Sequence, residues 1–468
     1  MKIKTSFWLL LLLLTLILSA CVPLTFSPPA EIHITDGDQV ENAVIAVDAA
    51  GRSHIAGVVA DRIVYYRTRY GVPLAFGKLT MVMDGSGTNW KQYDPDIAVV
   101  DNGDAFVTWV EQRGTTEKFA CYQKIYLVPP IGGQERFCLD LDDPGMQTAG
   151  TVQVIARGET VYAIYDRAYS DGRTADLWYT RLAGGSVTGR VAWWIEAFET
   201  VFFHSLDLGI DESGFLHVGS HYNWTTGGPP AGERLEIRSN RSTLADGQMD
   251  QIWIITTSSL QDEDIPVSLS FYQDGTTQRV ALASVFQPAT LDQIWVDSCT
   301  AVGCTAKADI PVDLPTSWDT FSVVDDVEIE GIDETLFLSF IGDDNTAPTG
   351  APQVYYTDAH DTSTILEPSE GSATFKFDLE MTTVKNRVDA PFVIPVMAWA
   401  ESNFVTATHF VAGFYTPAVK ISEDNCTETM VSGNIASNDI YLSGVWDACS
   451  NTWFTTQAWN THLPLITK

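Results

Sequence analysis

The chain has 468 residues, 45% of them hydrophobic and 19% charged, a balance that supports a large packed core and excludes a disordered polymer. Sixty acidic against 27 basic residues leave a net charge of −33. Such a surface repels phosphate backbones and anionic headgroups, which argues against nucleic acid as a partner.

Lys2 and Lys4 precede an apolar run from Phe7 to Leu18, too short to span a bilayer and of the length of a signal peptide's core. The run ends in Leu18-Ser19-Ala20-Cys21, which resembles the lipobox of bacterial lipoproteins. The resemblance implies a signal peptide over 1–20, lipid on the Cys21 thiol and a lipidated tether over 21–29. No other stretch is apolar and long enough to cross a membrane. The expectation is an exported protein, lipid-anchored to the bacterial cell envelope or surface, with acyl chains contributing roughly 0.8 kcal/mol per buried methylene.

From residue 30 to 468 the chain repeats a unit of strand, tight turn, strand, loop and a third, aromatic-rich strand. The clearest copies are AVIAVDAAGRSHIAGV (43–58), PDIAVVDNGDAFVTWV (95–110), GTVQVIARGETVYAIY (150–165) and SLDLGIDESGFLHVGS (205–220). Apolar residues alternate with small or polar ones, the period of a half-buried strand, and glycine marks the turn. Further copies follow at 267–282, 327–340, 377–400 and 440–459, with third strands at RIVYYR (62–67), DLWYTR (176–181), RLEIRS (234–239), QIWVDS (293–298) and QVYYTD (353–358). Marking the turns at Gly51, Gly103, Gly158, Gly214, Gly275, Gly331, Asn386 and Cys449 gives spacings between 52 and 63 residues. Four short strands fill that period. The fold expected is all-β: a single propeller of seven or eight four-stranded blades, with the turn marks favouring eight. AEIHIT (30–35) and THLPLITK at the C-terminus would supply the strands that close the ring and remove its exposed edges.

Apart from Cys21, six cysteines remain, an even number in an exported chain and a candidate disulfide set. They fall into local couples: Cys121 with Cys138, Cys299 with Cys304, Cys426 with Cys449. Sequence alone leaves many pairings open. In the propeller the first two couples would join the third and fourth strands of a blade, and the last would tie the penultimate blade to the closing one. No CxxC occurs and no histidine lies beside a couple, so no metal site is expected there. No cofactor is expected, although calcium finds a weak candidate in Asp140-Leu141-Asp142-Asp143-Pro144-Gly145, which lacks the register of an EF-hand loop.

The PDIAVxxxGxxxVTW pattern followed by a YY-type strand resembles the BNR and sialidase-like β-propeller superfamily. Asp84 to Trp90 resembles the superfamily's Asp-box with one residue too many, and that box is a signature of fold, not catalysis. Sialidase activity would require three arginines from separate blades and a Phe/Tyr-Arg-Ile-Pro motif. The motif is missing, and only Arg387 lies beyond Arg279. Fold does not fix function.

The longest predicted loops are 165–176, 220–234 and 341–353, on the face where second strands lead to third strands. Tyr165, Arg167, Tyr169, Arg173, His221, Tyr222 and Trp224 combine aromatic faces with polar tips suited to ligand recognition. Glu111 and Glu401 end the second strands of their repeats, and with Asp166 they are the candidate acid and base groups. His54 and His217 share a slot that Phe106 and Val161 occupy elsewhere, which marks it as a packing position. The chain is thus expected to be a monomeric, membrane-anchored protein binding an extracellular glycan, peptide or protein partner without catalysis. The alternative is an exo-acting, sialidase-like glycoside hydrolase or lyase with a non-standard site.

Overall fold

The computed structural model describes residues between 30 and 457, apart from connecting segments, chiefly 32–39, 69–78, 81–89, 128–135, 140–145, 191–198, 242–248, 258–265, 287–292, 312–323, 343–350, 370–375, 386–392 and 421–431. Among the described residues every regular element is a β-strand, and pairing sorts the strands into eight antiparallel sheets. The proposed leader, Cys21, the Asp140–Gly145 stretch and the Asp84–Asn89 part of the box lie outside them.

The first sheet runs Glu41–Val47, Ser53–Val59, Arg62–Arg67, Leu79–Thr80, and the second Trp90–Val99, Ala105–Arg113, Glu117–Ile125, Phe137–Cys138. The next five sheets begin with Val152–Arg157, Glu199–Ile210, Val267–Asp274, Val324–Ile332 and Lys376–Lys385. The eighth takes Ser432–Ser437, Leu442–Ala448 and Asn451–Gln457 from the C-terminal part of the chain, and its fourth strand, Ala30–Glu31, from the N-terminal part. There Ala30 faces Phe454 and Glu31 faces Trp453. First strands touch one another in succession from the first sheet to the eighth, and Ser432–Ser437 touches Glu41–Val47.

All seven residues of Ser53–Val59, the second strand of the first sheet, are buried, as they must be where both faces of a sheet are covered. The core is therefore a series of layers between sheets. Ala56, Ile63 and Tyr65 of the first sheet pack on Ile97, Val107 and Trp109 of the second. Ile164 and Tyr179 of the third meet Leu216 and Val218 of the fourth, and Val296 of the fifth meets Ile329 and Phe340 of the sixth.

The expected turn glycines Gly51, Gly103, Gly158, Gly214 and Gly275 all adopt positive φ, between 61° and 84°, a region that costs glycine nothing. Two turn assignments are corrected. Gly331 is inside the Val324–Ile332 strand, and the turn falls two residues later at Asp333, whose φ is 49°. Gly331 serves close approach instead: a Cβ there would lie 2.0 Å from the Phe271 carbonyl oxygen of the fifth sheet. Cys449 lies outside the described residues, and the gap it occupies joins the second and third strands of the eighth sheet, not the first and second. The proposed Asn386 turn and the C-terminal closing strand also lie outside the described residues.

Cys121 and Cys138 are disulfide-bonded across the third and fourth strands of the second sheet, where they are register partners. Cys299 is also disulfide-bonded, on the third strand of the fifth sheet. Cys426 is outside the described residues.

Candidate functional site

The loops read from sequence are shorter than expected because the strands continue into them. Thr160–Tyr169 pairs with Thr174–Ala183 as far as Ala168 with Thr174, and Leu216–Thr226 pairs with Gly232–Ser239 as far as Trp224 with Gly232. Tyr165, Asp166, Arg167, Tyr169, His221, Tyr222 and Trp224 are thus strand residues. Arg173 lies outside the described residues. Tyr165 packs with Val110, Ala120 and Val152 between the second and third sheets. His221 and Tyr222 are buried as well. Alternation along a strand sends every second side chain into a neighbouring sheet, which is where Tyr165 goes.

The three candidate acids occupy one slot, the end of the second strand in the second, third and seventh sheets, and all three are buried: Glu111 is 0% exposed, Asp166 6%, Glu401 6%. The Glu111 carboxylate is surrounded by donors of its own sheet. Arg113 approaches Oε1 at 2.8 Å, Arg136 donates to Oε2 at 2.6 Å, and Gln92 donates to Oε2 at 3.3 Å. Gln92 in turn accepts from the Ile63 N–H of the first sheet, and both guanidiniums lie over Trp90. The Cys121 and Cys138 sulfurs lie within 4.8 Å of Glu111, yet they bond each other while the carboxylate faces two guanidiniums, a set unsuited to a cation. Glu401 accepts from the Trp399 indole N–H at 2.8 Å and is the register partner of buried Lys376. Burial holds the Lys376 ammonium below its usual range, against the pull of Glu401 and Glu367. Glu111 and Glu401 thus act as internal anchors, Glu401 within its sheet and Glu111 also toward the first sheet through Gln92.

The shared histidine slot also has a definite structural role. Asp48 accepts from the Ala50 and Arg52 N–H groups and so shapes the first turn. His54 lies 3.2 Å from Asp48 through Nε2 and 2.6 Å from the Tyr65 hydroxyl through Nδ1. Burial lowers the His54 pKa despite Asp48, and it raises that of Tyr65. The neutral ring therefore donates to Asp48 and accepts from Tyr65, a hydrogen bond and not an ion pair. In the fourth sheet Asp211 binds His217 and Arg241 in the same way. Burial opposes ionisation of Asp211, but these donors outweigh it and hold the carboxyl at about 2.

Sequence reading missed a third set. Asp96, Asp207 and Asp326, on the first strands of the second, fourth and sixth sheets, each accept from the next residue's N–H and from an N–H of the following sheet: Val154, Leu269 and Leu379. Between the fifth and sixth sheets Ser268 and Ser270 accept from Ile329 and Gly331. Burial raises Asp96 and Asp207 to about 6, each against two backbone donors. Burial, then the charges of Glu380, Asp326 and Asp207, push Glu328 well above the usual carboxylate range. The signal was available as an aspartate recurring in alternate copies, in DIAVVD, DLGID and DVEIEGID.

These features define an all-β, propeller-like protein. No protein-family profile matches the chain, and no curated protein matches it. At fold level it is similar to sialidase and arabinanase propellers among solved structures. The polysaccharide lyase Uly1 aligns over 93% of this chain and all of its own, at 11% identity and a TM-score of 0.43. An α-L-arabinanase of Penicillium chrysogenum, complexed with arabinobiose, aligns over 72% of this chain and 98% of its own, at 10% identity and 0.39. A sialidase of Trypanosoma rangeli, complexed with sialic acid, aligns over 90% and 85%, at 7% identity and 0.38.

Proposed function

We propose that the chain is an extracytoplasmic lipoprotein, anchored through Cys21, whose eight sheets close into one ring and whose loop-rich face binds a glycan, peptide or protein partner without catalysis. The observation that carries the non-catalytic part is the state of the acids: Glu111 and Glu401 are turned into their own sheets and engaged there. A carboxylate used as acid or base must reach a substrate oxygen. Closure of the ring is supported by the contact of Ser432–Ser437 with Glu41–Val47 and by the pairing of Ala30–Glu31 in the eighth sheet. The anchor rests on the Leu18–Cys21 motif alone. The test is a glycan and peptide array probed with the purified chain, alongside turnover of glycoside substrates. Saturable binding without turnover supports the reading; turnover abolished by Glu111→Gln or Glu401→Gln overturns it in favour of a glycoside hydrolase or lyase. Retention of the Cys21→Ser protein in the membrane fraction would overturn the anchor.

A further inference from the structure

A cavity of about 270 Å³ opens at the other end of the sheets, among the turns that join first and second strands. It lies where the third, fourth, fifth and sixth sheets meet, and its lining is chemically asymmetric. On one side Arg157, the exposed last residue of its strand, is steadied by a single hydrogen bond from Nη1 to the Ile210 carbonyl at 2.8 Å. It has no ion pair among the described residues, so the rest of its guanidinium edge remains available for an anion. The far side, on the sixth sheet, carries the exposed Asp333 and, beside it, Glu330, which accepts from the Ser270 hydroxyl at 3.3 Å. Between them Glu212 is tied to the fifth sheet, accepting from the Gln273 amide at 3.3 Å while its own N–H donates to Gln278 at 3.3 Å. The floor therefore carries Glu212 held between two glutamines, one wall a cation and the other wall anions.

We infer that this cavity is a binding site for a small zwitterion of amino-acid or dipeptide size, with its carboxylate on Arg157 and its ammonium toward Asp333 and Glu330. The volume is at the small end of ligand sites, which sets the size limit. The separation of charges sets the chemistry. A purely cationic ligand would leave Arg157 opposed, a purely anionic one would meet Asp333 and Glu330, and a neutral sugar would leave Arg157 and Asp333 without a counter-charge. The peptide amide between the two termini meets the side-chain atoms that Glu212 leaves over, Gln273 Oε1 as acceptor and Gln278 Nε2 as donor. This site lies at the opposite end of the sheets from the proposed partner-binding face and does not depend on it.

The experiment is calorimetric titration of the purified full chain with glycylglycine, glycylglycinamide, N-acetylglycylglycine and a neutral disaccharide. Glycylglycine is expected to bind at least tenfold more tightly than either singly charged relative, with no saturable binding of the disaccharide. Arg157→Ala should abolish the preference for the free carboxylate and keep that for the free ammonium; Asp333→Asn should do the reverse. Both residues are exposed, and asparagine tolerates the positive φ of position 333. Absence of saturable glycylglycine binding, equal binding of the amide, preference for the disaccharide, or an unchanged preference in Arg157→Ala would each overturn the inference. Because the wild-type ligand series is decisive by itself, a variant that fails to fold does not protect the proposal.

Discussion

Asp96→Ala isolates what a buried aspartate does between sheets. The carboxylate accepts from Ile97 and Val154 N–H, each at 2.7 Å, and both residues are 6% exposed. Alanine leaves two buried donors without an acceptor, at about 1–3 kcal/mol each. The same carboxyl titrates at about 6 in the fold against 3.8 in its ordinary state, so the folded protein holds the proton more tightly than the unfolded chain. Its favourable contribution is fully present below pH of about 4 and is lost as pH climbs to about 6, a change of about 3 kcal/mol at 1.36 kcal/mol per unit. Asp96 keeps some exposed surface, and solvent screening makes that an upper figure. Urea unfolding of both proteins between about pH 4 and 7 should therefore give a deficit for Asp96→Ala that is largest at the acidic end and shrinks toward neutrality. A deficit that is constant, or that grows with pH, would refute the account.

Three further outcomes follow from the same geometry. Glu111→Ala should lower the unfolding free energy by about 3–5 kcal/mol, since it strands Arg113 and Arg136 against each other over Trp90, and Glu111→Gln by less; equal melting of all three proteins would contradict this. Gly331→Ala forces a methyl against the Phe271 carbonyl oxygen and should cost at least about 1–3 kcal/mol in chemical denaturation, whereas a merely permissive turn glycine would cost less. Replacing Cys121 and Cys138 together by alanine opens a loop of 17 residues and should cost about 3 kcal/mol, read as a fall in urea midpoint with a steeper slope because the unfolded chain becomes less compact.

Much of the architecture was legible because two local rules hold in nearly every copy. A glycine turn needs positive φ, and an aromatic third strand needs a neighbouring sheet to lie on. Gly331 broke the first rule because glycine also appears where two backbones crowd, and a sequence does not distinguish the two uses. Cys449 was misplaced because the eighth sheet takes its fourth strand, Ala30–Glu31, from the N-terminal part of the chain, and the hairpin visible in the last copy is second-to-third. The site was read less well. Tyr165 and His221 looked like loop residues because their segments are polar and aromatic, yet strand alternation sends such side chains between sheets. Glu111 looked like an acid or base group at a strand end, and the partner that engages it, Arg136, reaches it from 25 positions away. Long-range pairing of this kind leaves no local pattern.

The pairing of Ala30–Glu31 with Trp453 and Phe454 has a consequence for how the protein comes into being. A ribosome delivers the closing strand first and the sheet that receives it about four hundred residues later. Seven sheets can assemble on neighbours made in turn, but this pairing must wait until Trp453 and Phe454 are made, with a large loop-closure cost. A two-residue strand is a weak lock. The join between these early and late strands is therefore slow to set, and the place where a protease or a misdirected partner strand would find it open.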